Sequence, residues 1–315
     1  MEIQFRDVQQ AAQRIRGIAH RTPVLSSRTF DGIARGKVFF KCENLQRGGA
    51  FKIRGAANAV YSIPQDQLPR GVVAYSSGNH AQAVAIAAAS VGVPATIIMP
   101  TDAPASKIEA TRGYGGRVIT YDRLRESREA IGRKISDETG ATLIPPFDHP
   151  WVIAGQGTAA LELLEEIADL DAIFTPIGGG GLISGTAIAA KALRPSIRVF
   201  GVEPQDANDT KLSLIAGSPV EIPPPQTIAD GLRAPKPGAI TFPIIQKLVE
   251  DVLLVSEDEI RATMRFFLSR MKIVVEPSGA VPAAPLLHGK LPPGIQRAGV
   301  ILSGGNIDLD VLKSL

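Results

Sequence analysis

The chain holds a single cysteine, Cys42, among 315 residues, which excludes an intrachain disulfide and fits a reducing compartment. Cys42 ends the strand-like run 37–42, where a buried, inert thiol is expected. There is no block of like charge. The 34 basic and 31 acidic residues are mixed along the chain, so a pI near 9.0 carries no argument for nucleic acid. There is no long apolar run either: the stretch 83–99 is broken by Ser90, Gly92 and Pro94, too soon for a membrane span. The opening residues, Met1 to Asp7, lack a basic segment followed by an apolar one, so no secretory signal is expected. Internal repeats and low-complexity segments are absent. These absences predict a cytoplasmic protein with no nucleic-acid or membrane partner.

What is present is an ordinary globular composition, 44% hydrophobic and 21% charged, long enough for two lobes. Phe5, Val8, Ala12, Ile15 and Ala19 recur at helical steps. From residue 71 strands and helices alternate. Strands are expected at 71–75, 95–99, 117–121, 142–144, 172–177, 198–202 and 299–302, and helices at 79–91, 105–112, 124–139, 157–167 and 182–193. Such alternation predicts an α/β protein with parallel sheets covered by helices.

Lys52 stands in Gly48-Gly49-Ala50-Phe51-Lys52-Ile53-Arg54-Gly55, among small and apolar neighbours at the start of a helix-like stretch. A dry setting lowers an amine pKa and frees its lone pair for a carbonyl. The alternative is a lysine that snorkels to solvent. The strand 173–177 runs into Gly178-Gly179-Gly180-Gly181 and then a helix, which describes a phosphate cradle. It is not a Walker loop, because Thr186 stands where lysine is required, and Ile183 breaks the dinucleotide fingerprint. Glu203 lies 22 residues after Gly181, so a nicotinamide-dependent oxidoreductase stays open, as does a bland tight turn.

A second strand-to-helix loop, Ser76-Ser77-Gly78-Asn79-His80, offers polar side chains and bare N–H groups to a small carboxylate, or simply caps the helix. Ser303 follows the strand 299–302 at its carboxyl end, where α/β sheets place ligands. Glu203, Ala207 and Asp209 share one short loop, and two carboxylates plus a carbonyl suit Mg²⁺ or Ca²⁺, although acidic loop residues are often only solvated. An imine-forming lysine, a phosphate cradle, a carboxylate seat and a terminal serine together meet the needs of pyridoxal 5'-phosphate chemistry on amino acids.

At this point the chain resembles, over nearly its full length, the serine/threonine dehydratase and serine racemase family of fold type II pyridoxal-phosphate enzymes. The resemblance is carried by Lys41 to Gln46, Phe51 to Gly55, Ser76 to Gln82, Ala154 to Thr158, the tetraglycine loop and Ser303 to Asn306. It implies two domains, each an open, mostly parallel twisted sheet flanked by helices: a large one from 1–68 and 149–315, and a small one from 69–148. It also implies roles. Lys52 would bond the cofactor and abstract the α-proton, Phe51 would pack beside the ring, and Asn79 would reach the ring hydroxyl. Gly178 to Gly181 would take the phosphate, and Ser303 would face the pyridine nitrogen. Ser76 to His80 would hold the substrate carboxylate, with Gly231 passing beside cofactor and substrate. Glu203, Ala207 through its carbonyl, and Asp209 match a divalent-metal site for Mg²⁺, Ca²⁺ or Mn²⁺. The implied reaction removes the α-proton and the β-hydroxyl, and ends in a 2-oxo acid and ammonia.

Within the family, Ser77 matches members that racemise, where its hydroxyl would protonate the face opposite Lys52; otherwise it only binds carboxylate. Arg128 aligns with a substrate-proximal arginine and could pair with the second carboxylate of 3-hydroxyaspartate, as could His149; the alternative is a solvent-facing arginine. The expectation is therefore β-elimination of L-threonine or L-serine with racemase side activity. A threo-3-hydroxyaspartate ammonia-lyase or a serine racemase proper is the rival, and a homodimer is the expected assembly.

Overall fold

The computed structural model describes residues 2–103, 105–313 and 315; residues 1, 104 and 314 of the expected domain spans lie outside that set. Among the described residues ten strands make two sheets. They are β1 (Val24–Ser26), β2 (Lys37–Cys42), β3 (Val72–Tyr75), β4 (Ala95–Pro100), β5 (Gly116–Tyr121), β6 (Thr142–Leu143), β7 (Ala172–Pro176), β8 (Arg198–Pro204), β9 (Asp251–Val255) and β10 (Arg297–Leu302). The larger sheet has the order β1-β2-β10-β7-β8-β9 and the smaller one β5-β4-β3-β6. Every pairing is parallel except β1 against β2. Parallel sheets are covered on both faces, which is why β7 is buried at every position.

The helices of seven residues or more are α1 (Phe5–Arg14), α2 (Arg28–Ala34), α3 (Lys52–Tyr61), α4 (Asn79–Ser90), α5 (Ala105–Gly113), α6 (Arg128–Thr139), α7 (Pro150–Glu166), α8 (Gly181–Leu193), α9 (Asp209–Ala216), α10 (Thr241–Leu248) and α11 (Glu257–Phe266). One face of the six-stranded sheet is covered by α1, α7, α8 and α10, and the other by α2, α11 and the segment 280–286. The four-stranded sheet packs α4 and α3 on one face and α6 on the other. Thus α3 shares its apolar core with the smaller sheet, although the expected domain cut fell after it, at residue 68.

The expected strands and helices from residue 71 onward are all present, with shifted edges. The largest shift is α7, which begins at Pro150 and runs through Gly155 and Gly157. Glycine lowers helix propensity, but here it permits close helix crossings. A Cβ on Gly155 would lie 2.5 Å from Arg54 O, and one on Gly185 of α8 would lie 2.3 Å from Ile153 O. Those contacts clamp α3, α7 and α8 together.

A buried ion network fixes the same helices. Arg54 Nε and Nη2 donate to Glu43 at 2.7 and 2.8 Å, and Nη1 and Nη2 donate to Glu162 of α7 at 2.8 and 2.7 Å. Lys41 Nζ donates to Glu162 Oε2 at 2.6 Å, so two cations balance two carboxylates. Arg54 and Glu43 are fully buried, and Arg54 sits one half-turn beyond Lys52, facing away from it around α3.

Candidate active site

The carboxyl ends of β2, β10 and β7 lie side by side, and the loops leaving them converge. Ala50 bridges Gly304 in antiparallel fashion, and Phe51 N donates to Ser303 O at 3.0 Å. That stitch brings Phe51, Lys52 and Ser303 together. Lys52 opens α3, its Nζ 5.1 Å from the centroid of the Phe51 ring and donating to Pro146 O at 2.7 Å. Burial pushes the amine down to about 8, against a smaller opposing pull from Glu276. An amine held there is part neutral near neutral pH, as a nucleophile or base requires.

The four glycines form a cradle walled on all sides. Gly180 has φ 91°, which turns the chain into α8 and favours a residue without Cβ. A Cβ would meet Gly231 O at 3.0 Å from Gly178, the Phe147 ring at 2.3 Å from Gly179, Thr241 Oγ1 at 2.8 Å from Gly180, and Phe147 Cα at 3.1 Å from Gly181. The first N–H groups of α8 have no intrahelical partners, so four residues without side chains at a helix start fit a phosphate.

Across from it the loop after β3 holds Ser76, Ser77 and Gly78, with Gly78 N donating to Ser76 Oγ at 3.2 Å. Asn79 starts α4 and crosses to the larger sheet: its Nδ2 donates to Glu276 Oε1 at 2.8 Å, and its Oδ1 accepts from Asn306 Nδ2 at 2.9 Å. The ring of His80 is turned inward instead. It is buried, bonded through Nε2 to Ile144 O at 2.9 Å and held neutral, with its pKa pushed down to about 3 by burial and then by the Lys52 charge.

Arg128 opens α6, with its guanidinium carbon 5.4 Å from the centroid of the Tyr75 ring and Nε donating to Glu129 at 2.8 Å. Tyr75 directly precedes Ser76, so this cation stands beside the loop. His149 caps α7 with its ring edge-on to Trp151 at 5.3 Å, and its buried Nδ1 has no hydrogen-bond partner.

Glu203, Ala207 and Asp209 form a separate cluster between β8 and α9. Glu203 accepts from Thr210 N at 3.1 Å and Lys211 N at 3.0 Å. Burial and the neighbouring Asp209 push its carboxyl up to about 8, and burial pushes Asp209 up to about 7. Both carboxylate oxygens of Asp209 are buried without a partner, a costly arrangement unless a cation completes it. The donors present, two carboxylates beside a backbone carbonyl, fit a hard divalent ion. No group of three or more His, Cys, Asp or Glu side chains with metal-ligand spacing occurs among the described residues.

Several residues at this site carried no signal in the sequence. Glu276 is buried under Asn79, its carboxyl pushed up to about 8 by burial, with Asp230 adding to it. Lys107 pairs with Asp230, and its Nζ is the nearest atom, at 3.9 Å, to where a Cβ on Gly78 would stand. Pro146, Phe147 and Asp148 belong to a loop that no motif marks, and Thr241 opens α10, equally unmarked.

Residues 15–304 match the family of pyridoxal-phosphate dependent enzymes. The chain is 53% identical to the L-threo-3-hydroxyaspartate ammonia-lyase of a Pseudomonas species, over 99% of this chain and 98% of that one. It is 50% identical to the serine racemase of Schizosaccharomyces pombe, over 97% and 95%. Its fold superposes on the solved structure of maize serine racemase with a TM-score of 0.96 at 45% identity, covering 100% of this chain and 97% of that one. The nicotinamide alternative gives way to that match, and no helix among the described residues is long and apolar enough to cross a membrane. With its lysine beside a glycine cradle at the ends of parallel strands, the chain belongs to the serine/threonine dehydratase and serine racemase family of fold type II pyridoxal-phosphate dependent enzymes.

Proposed function

We propose that the enzyme eliminates water from a small 3-hydroxy amino acid to give an enamine that water hydrolyses to a 2-oxo acid and ammonia, with L-threo-3-hydroxyaspartate the favoured substrate ahead of L-serine and L-threonine. The observation that carries the elimination is Lys52, an amine lowered to about 8 and bonded to Pro146 O, next to the Phe147 that packs on the glycine cradle. The dicarboxylic substrate is supported by two cations at that loop, Arg128 and Lys107, and by the activity named for the 53% identical relative.

When bound, pyridoxal phosphate supplies an electron sink conjugated to the substrate's α-carbon. Lys52 would hold it, and once displaced by substrate would take the α-proton on Nζ. Phe51 would lie against the ring, Asn79 would donate to the ring hydroxyl, and Ser303 would meet the pyridine nitrogen. Gly178, Gly179, Gly180 and Gly181 would bind the phosphate through N–H groups. Ser76, Ser77, Gly78 and Asn79 would seat the α-carboxylate; His80 would add only its backbone N–H, since its ring is engaged by Ile144. Gly231, whose carbonyl faces Gly178, would border the site. Glu203, the Ala207 carbonyl and Asp209 would hold Mg²⁺ away from the reacting atoms.

Serine racemisation is the second reading, supported by the Ser77 hydroxyl on the substrate loop and by the 50% identical relative. A homodimer is in keeping with the exposed apolar side chains of Leu45 and Val274; light scattering decides it.

A 2-oxo acid assay over L-serine, D-serine, L-threonine and the threo and erythro 3-hydroxyaspartates, with and without EDTA, tests the assignment. The highest kcat/KM is expected for L-threo-3-hydroxyaspartate. Equal or better turnover of L-threonine would replace the dicarboxylic reading, and no 2-oxo acid from any of them would remove the elimination.

A further inference from the structure

Residues 146–149 form a strap between β6 and α7 that touches both ends of the proposed cofactor seat. Pro146 O accepts from Lys52 Nζ at 2.7 Å. The Phe147 ring stands against Gly179, 2.3 Å from where a Cβ would be, and its backbone stands against Gly181. The side chain of Asp148 leaves the strap in another direction. Its Oδ1 accepts from Ile240 N at 2.8 Å and Thr241 N at 3.2 Å, and its Oδ2 accepts from Ala239 N at 3.0 Å. These N–H groups open α10, where a carboxylate is favoured by unpaired donors and by the helix dipole.

Thr241 carries the connection back to the cradle. Its buried Oγ1 donates to Gly179 O at 2.8 Å and accepts from Gly238 N at 2.9 Å. Strap, α10 and cradle therefore close a ring: Phe147 on Gly179, Gly179 on Thr241, Thr241 on Asp148, and Asp148 beside Phe147. Nothing else described ties Lys52 and the phosphate cradle to one short segment.

We propose that Asp148 is a positioning residue that sets the separation between Lys52 and the phosphate cradle, acting through the strap and Thr241. The proposal rests on the pyridoxal-phosphate reading above. A rigid cofactor bonded at one end and seated at the other needs both anchors in register, and a strap free to slide spoils one of them. Asparagine at 148 keeps the size of the side chain but turns an NH₂ donor toward backbone N–H groups and removes the charge.

The test is the dissociation constant and off-rate of pyridoxal phosphate, followed by the visible band of the lysine-bonded cofactor, in wild type, D148N, T241V and the double variant. Each single variant is expected to weaken cofactor binding about tenfold. The apo proteins should melt within about 2 °C of wild type, and the double variant should be no weaker than the weaker single one. Wild-type affinity in D148N and T241V overturns the proposal. So does a loss matched by a large fall in apo melting temperature, or an additive double variant. If D148N yields no soluble protein, T241V carries the test with the same outcomes. A wild type that takes up no cofactor would overturn the underlying function as well, whereas a yellow wild type with an unaffected D148N overturns this proposal alone.

Discussion

Asn79 Nδ2 donates to Glu276 Oε1 at 2.8 Å, joining the start of α4, just beyond β3 of the four-stranded sheet, to a carboxyl buried in the six-stranded half. Burial, with Asp230 adding to it, raises Glu276 from its ordinary 4.5 to about 8. The folded protein thus binds this proton more tightly than the unfolded chain does. Its stabilising contribution is complete below about 4.5 and is lost as pH rises toward about 8. Lys52, lowered to about 8, acts in the opposite sense only above that value. The melting temperature of the apo protein should fall across this window, with Glu203 and Asp209 adding to the fall, and E276Q should make it shallower. An unchanged slope in E276Q would show that Glu276 is ionised throughout.

Lys52 should be singular among the lysines in its chemistry. Acylation of the apo protein, read residue by residue by mass spectrometry, should label it half-maximally near pH 8, well below the ordinary 10.5. K52A should lose the visible cofactor band and about 10²–10⁴-fold in elimination rate. Labelling at the pH of surface lysines would remove the argument for a dry amine.

Arg54 is bonded twice to Glu43 and twice to Glu162 with no exposed atom to compensate. Removing it leaves two carboxylates facing one lysine in the interior. R54M should cost about 3–5 kcal/mol of folding stability, measured by urea unfolding of the apo protein. A loss below about 1 kcal/mol would mean that water reaches the network.

Arg128 stands half-exposed over Tyr75, beside the loop proposed to seat the α-carboxylate. If it meets a second carboxylate, R128A should raise KM for L-threo-3-hydroxyaspartate about tenfold and leave KM for L-serine within about twofold. Parallel changes for both substrates would return Arg128 to the solvated helix face.

Asp209 offers two buried oxygens without partners. Mg²⁺ at a hundred times its dissociation constant should therefore stabilise the EDTA-stripped protein by about 2.7 kcal/mol, and D209N should abolish that gain. The same melting temperature with Mg²⁺ and with EDTA would argue against the site.

Much of this was legible in the chain because it is local. The alternation of apolar strands with helices gave the parallel sheets, and Gly178 to Gly181 after a buried strand gave the cradle. The start of α7 was hidden, because Gly155 and Gly157 look like helix breakers until α3 and α8 are seen pressing against them. β1 and β9 are edge strands of three and five residues, too short for their periodicity to stand out from a loop. Glu276 was invisible for a different reason: its importance comes from Asn79, 197 positions away, and no spacing rule reaches that far.

The stitch between Ala50 and Gly304 has a consequence for how the enzyme is made. Phe51 and its neighbouring lysine wait for a hydrogen-bond acceptor, Ser303 O, that the ribosome adds only after β10 has been made. A nascent chain arrested before β10 has both the lysine and the glycines, yet no edge to align them. Loading with vitamin B6 therefore waits for β10 and Ser303, and a chain stalled before them should emerge colourless.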